Sequence, residues 1–153
     1  IRLGYEQIKS AVPLVSPMKI FRSPSVRPIA VAVRMLRTHP EKHWTLADLA
    51  RDLGMSRSSL ATHFSAYVGI GPMEYLTSVR MEKAAHLVQN RHDLSLSAVS
   101  RQVGYSHTSS FVRAFKAHFG APPKAFGNQG GTDVAHAAAV PAVIGLELAV
   151  PSL

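Results

Sequence analysis

A pattern of apolar residues and glycine that spans residues 46–75 comes back at residues 96–126. At an offset of 50, Leu46, Leu49, Leu53, Gly54 and Ser56 meet Leu96, Val99, Val103, Gly104 and Ser106. Past the second glycine the offset becomes 51, and Leu60, Phe64, Gly69, Pro72 and Tyr75 meet Phe111, Phe115, Gly120, Pro123 and Phe126. One extra residue near the second turn accounts for the slip. A repeat of this length marks a duplicated supersecondary unit.

Each copy reads as two short helices around a tight turn. Thr45 suits an N-cap, with Asp48 three residues on in a near relative of the capping box. Gly54 and Gly104 sit where the chain needs a positive φ. Ser56 is read as the cap of the next helix, with Leu60 and Phe64 inward, and Ser106 as its counterpart. Ahead of the first copy, Ile29, Val33 and Leu36 stripe a helix that starts near Pro28 and stops at His39-Pro40. Between the copies, Pro72 opens a long helix to about Gln89, striped by Leu76, Val79, Ala84, Leu87 and Val88. At 1.5 Å per residue that connector is about 27 Å long. The expected fold is all-α: two tandem helix-turn-helix units joined by a linker helix.

The basic charge belongs to the middle of the chain and to its N-terminal arm: residues 1–23 carry a net of +3, and residues 129–153 a net of −2. Of the formal +8, residues 24–128 carry 13 basic and 6 acidic side chains, a net of +7. Such a surface favours a polyanion, nucleic acid ahead of an anionic membrane. The most apolar stretch, Val134 to Val150, is broken by His136, Pro141, Gly145 and Glu147 and makes a poor spanning helix. With no cysteine, disulfides, thiol nucleophiles and cysteine-held zinc are excluded. His39 and His43 have metal-like spacing, but Pro40 breaks the helix that would align them, so no metal or cofactor is expected. Ser56 and Ser106 have no acid patterned to complete a triad, and no enzyme is expected.

In a helix-turn-helix the second helix enters the major groove and offers its N-terminal residues to base edges. Those residues here are Ser56, Arg57, Ser58 and Ser59, and Ser106, His107, Thr108 and Ser109, with no acid among them. Thr62 and His63 follow on the outward face of the first, and Arg113 and Lys116 flank Phe111 and Phe115 on the second. A helix N-terminus also suits phosphate. Arg80 on the connector reads as a phosphate contact or as the ion-pair partner of Glu74 or of an acid from another segment, since Glu82 lies too close in sequence to face it; Trp44 reads as a core anchor, and Tyr105 as packing at the second turn. A connector close to one turn of B-DNA, about 34 Å, can set two such helices in successive major grooves. Tandem helix pairs also build interaction modules that recruit a protein without DNA, and the fold alone leaves that alternative open.

The run Trp44-Thr45-Leu46, Leu49-Ala50, Gly54-Met55-Ser56-Arg57-Ser58, Leu60, Phe64, Gly69 and Pro72 resembles the AraC-type DNA-binding domain. So does Val103-Gly104-Tyr105, Ser109, Phe111, Arg113-Ala114-Phe115-Lys116, Phe119-Gly120 and Pro122, the more specific half, together with Arg80 and Ala84-Ala85. The likeness covers roughly residues 27–127. It implies a bacterial, cytoplasmic transcription activator or repressor that binds double-stranded DNA, works with RNA polymerase, and has its effector bound by a separate N-terminal domain. It also places base contacts on Ser58, Ala61 and Thr62, and on Thr108, Ser109, Val112 and Arg113. Thr62 stands where many members have Arg, His107 where Ser is common, and Ser100 where Ala is usual. Residues 1–23 are expected to be a linker or the trailing end of that upstream domain, residues 24–128 the DNA-binding domain, and residues 129–153 an off-pattern tail.

Overall fold

The structure, a computed structural model, describes residues 26–128, and the expectations for residues 1–23 and 129–153 fall outside them. Among the described residues the chain forms seven helices: α1 (Val26–Thr38), α2 (Leu46–Asp52), α3 (Arg57–Val68), α4 (Pro72–Asn90), α5 (Leu96–Gln102), α6 (Thr108–Phe119) and α7 (Pro123–Asn128). The all-α expectation holds.

Local chemistry sets the boundaries. In α1, Ile29, Ala32, Val33 and Leu36 are buried at helical spacing, and Pro28 lies within a first turn that begins two residues earlier than expected. Thr45 Oγ1 accepts from Asp48 N at 3.1 Å and donates to Asp48 Oδ2 at 2.6 Å, closing the start of α2. Ser56 Oγ accepts from Ser59 N at 3.1 Å at the start of α3. Pro72 occupies the opening turn of α4, where its missing N–H costs nothing.

Ser106 does not cap α6. His107 holds the N-cap position and its side chain makes no capping bond. The extra residue falls between Gly104 and this helix, so the true counterpart of Ser56 is His107, at offset 51. A cap that the sequence reading overlooked lies one helix earlier: Ser95 Oγ accepts from Ala98 N at 3.1 Å and starts α5, fifty residues after Thr45.

Two separate apolar cores result. The first joins α1, α2 and α3 to the start of α4, through Ile29, Leu36, Trp44, Leu49, Leu60, Phe64, Val68, Tyr75 and Leu76. Trp44 is buried, with its Nε1 donating to His39 O at 2.9 Å. The second core joins the rest of α4 to α5 and α6 through Met81, Ala84, Ala85, Val99, Val103, Phe111 and Phe115. The short α7 packs on α4 and seats Phe126 5.3 Å from Phe115 and 5.0 Å from Phe119, centroid to centroid. Each fully buried phenylalanine contributes roughly 1.5–3 kcal/mol.

The connector's apolar stripe therefore differs from the expected one. Tyr75, Met81 and Ala85 are buried, whereas Val79, Leu87 and Val88 are half-buried. A helix serving one core keeps one stripe; α4 serves two on different sides, and its buried face turns midway.

Candidate nucleic-acid interface

The second helix of each pair, α3 and α6, is anchored by one buried row. In α3 the row is Leu60, Phe64 and Val68, and in α6 it is Phe111 and Phe115. Anchoring these positions forces the intervening ones outward. Ser56, Arg57, Ser58 and Thr62 are exposed around α3, as are Ser106, His107, Ser109, Arg113 and Lys116 around α6. Ala61 and Thr108 are half-buried, and so is Val112, which leans on the second core.

His63, read as outward, is half-buried instead. Its Nδ1–H donates to Ser59 O at 2.8 Å, so the ring folds back along its own helix. His118 on α6 is also half-buried, with its ring 4.7 Å from Phe119. Its Nε2 is buried and has no hydrogen-bond partner among the described residues, and burial holds the ring below the usual histidine pKa.

Neither α3 nor α6 contains an acidic residue. The nearest acids of the first unit, Asp48 and Asp52, face Arg51 at 2.8 and 3.8 Å. None of the ion pairs between described residues engages Arg57, Arg113 or Lys116. The exposed N-termini thus present backbone N–H groups, small hydroxyls and uncommitted cations, a set that fits phosphate oxygens and base edges.

With Glu41, an acid from another segment, favouring its charge, Arg80 is half-buried and makes no ion pair with Glu74. Its Nε donates to Pro40 O at 2.7 Å and its Nη2 to Lys42 O at 2.9 Å, in the loop between α1 and α2. Sequence spacing gave no sign of this, because the partners are backbone carbonyls about forty residues away. Tyr105 packs beside Phe111 as expected, and Trp44 is the expected anchor.

No group of three or more metal-ligating side chains occurs among the described residues, and no described helix is long and apolar enough to cross a membrane. A groove between the end of α4, the loop before α5, and α7 takes no residue from α3 or α6.

The helix-turn-helix domain family matches residues 49–129. A protein of Streptomyces lividans described as an AraC-like transcription regulator is 42% identical over 95 residues, 62% of this chain and 31% of its own length. The HTH-type transcriptional regulator AlkR of Acinetobacter baylyi is 36% identical over 98 residues, 64% of this chain and 32% of its own. This chain therefore spans about a third of the length of such relatives. Among solved structures, the C-terminal domain of AraT, a response regulator of Geobacillus stearothermophilus, superposes with a TM-score of 0.63 at 31% identity, over 69% of this chain and 85% of that one. With the duplicated pair, the connector and the matching residues all in agreement, the chain belongs to the AraC-type helix-turn-helix family.

Proposed function

We propose that residues 24–128 form a sequence-specific reader of double-stranded DNA within a bacterial transcription regulator, with α3 and α6 in successive major grooves. One observation carries this reading: two acid-free, exposed helix N-termini are mounted on a single connector. At 19 residues α4 is about 28 Å long, close to one helical turn of DNA. Arg57, Arg113, Lys116 and His107 contact phosphates or bases, and Ser58, Ala61, Thr62, Thr108, Ser109 and Val112 line the base edges. The work is recognition in the cytoplasm rather than catalysis. RNA polymerase and a separate effector-binding domain are the partners such a regulator requires.

Selection of bound duplexes from a random pool tests this. The enriched sequences are expected to contain two half-sites about one helical turn apart. Affinity for them should fall steeply with salt, because each neutralised phosphate releases counterions. Arg113→Ala should cost roughly 1–3 kcal/mol and relax the preference at one base position. An affinity indifferent to salt, or a pool with no enriched sequence, would overturn the reading.

A further inference from the structure

We infer that Arg80 is the positioning residue that locks the two helix-turn-helix units at a fixed angle to each other, and so sets the half-site spacing the protein accepts. The consequence for DNA rests on the function proposed above; the locking itself does not.

The two cores share no buried residue, and α4 alone among the helices packs substantially on both. A single rod fixes separation along its own axis. It leaves each unit free to roll or tilt on its own seat unless a second contact lies off that axis. The second contact is a joint built around Arg80. Its guanidinium holds Pro40 O and Lys42 O of the first unit, and lies 5.5 Å from the ring centroid of Tyr105 in the second. At the same place the units touch directly. A Cβ on Gly104 would stand 2.9 Å from Glu41 O, 3.0 Å from Glu41 Cα and 2.9 Å from Arg80 Nη2.

The first-unit side of the joint is stiff. Trp44 N donates to Lys42 O, Lys42 N to His39 O and Trp44 Nε1 to His39 O, which folds residues 39–44 into a closed loop. Lys83 Nζ, one turn along α4 from Arg80, lies 3.7 Å from Glu41 Oε2 and adds a second tether. The planar fork of Arg80 serves two carbonyls at once while its charge sits beside a ring, a combination that lysine cannot reproduce.

The chain has no cysteine, so spin labels can be placed at will. Ala66→Cys and Ala117→Cys put them at exposed, equivalent positions on α3 and α6. Pulsed electron–electron distance measurement without DNA should give one narrow distribution for otherwise wild-type protein. Arg80→Met, which keeps the stem and loses the donors, should broaden it at least about twofold, and Arg80→Lys should fall between. Binding to selected DNA with one base pair added or removed between half-sites should then show about a tenfold penalty for the wild type, and within about threefold for Arg80→Met. If Arg80→Met does not fold, Tyr105→Leu, which removes the ring beside the guanidinium along with its contact to Phe111, should broaden the distances in the same direction, while Phe111→Leu, which disturbs that contact but leaves the ring beside Arg80, should not.

Unchanged distance distributions in folded variants overturn the joint. Broadened distances in a protein that selects no DNA would support the joint and refute the proposed function. Broadened distances with unaltered spacing preference would overturn the link from joint to spacing.

Discussion

The first helix-turn-helix, residues 46–68, carries two basic and two acidic side chains; the second, residues 96–119, carries three basic and none acidic. Their scaffolds coincide, since each buries one helical row, ends its second helix at a glycine and passes into a proline-led helix. Duplication has kept the parts that bury apolar area and freed the parts that face solvent. On the proposed DNA reading, the second unit supplies most of the electrostatic grip. On the same reading the first contributes Arg57 toward phosphate and short side chains toward groove shape and thymine methyls.

The two turn glycines separate these roles most sharply. Gly54 and Gly104 have φ of 64° and 88°, so both occupy the left-handed region. Nothing lies within 4 Å of a Cβ added at Gly54, whereas at Gly104 it would run into the Glu41 backbone. Gly54→Ala should therefore cost only the left-handed penalty, about 1–2 kcal/mol. Gly104→Ala should cost the same penalty plus roughly 1–3 kcal/mol of overpacking against a backbone that cannot step aside. Urea unfolding of the two variants measures the difference. Equal losses would mean that the second turn is as open as the first.

Capping gives a smaller contrast. Ser56→Ala removes a formed bond to Ser59 N and should lower stability by about 1 kcal/mol. His107→Ala removes no capping bond and should be close to neutral, while His107→Ser should gain a few tenths to about 1 kcal/mol by restoring the missing acceptor. Thermal melts of the three variants check this. A loss at His107→Ala matching that at Ser56→Ala would show that the ring does the work of a cap.

What could be read in the sequence follows from the range of each interaction. The repeat, the turn glycines, the Thr45 and Ser56 caps and the inward rows of α3 and α6 were legible, because each is set by neighbours within a few residues. The Ser106 assignment failed by one residue, since a pattern match cannot say on which side of a turn an insertion lies. The stripe on α4 was misjudged because one helix packing on two cores has no single periodicity. The Arg80 joint was invisible, because backbone carbonyls have no sequence signature. For α3 and α6, exposure follows from the buried rows, so most of the candidate DNA-facing residues could be named in advance. His63 could not, because its choice of Ser59 O over solvent depends on the rotamer it takes.

The smallest expected effect comes from the position where the second unit holds a histidine and the first a tyrosine: His118 and, 51 residues earlier, Tyr67. Burial beside Phe119 holds the His118 ring below the ordinary histidine value, and its buried Nε2 meets no partner among the described residues. In the unfolded chain the same ring titrates near its reference value of about 6.5. Above that value it is neutral in both states and contributes no pH dependence. As the pH falls through it, the unfolded chain takes up the proton more readily than the folded one, and stability declines. The decline ends below the folded value, where both states are protonated. The wild type should thus lose stability more steeply than His118→Tyr between about pH 7.5 and pH 5, while the remaining histidines give both proteins the same background. Urea midpoints taken across that range measure the two slopes. Parallel curves would mean that the folded domain accepts a charge at His118 as easily as water does, and that the aromatic cluster of the second unit is no more sensitive to acid than the core of the first.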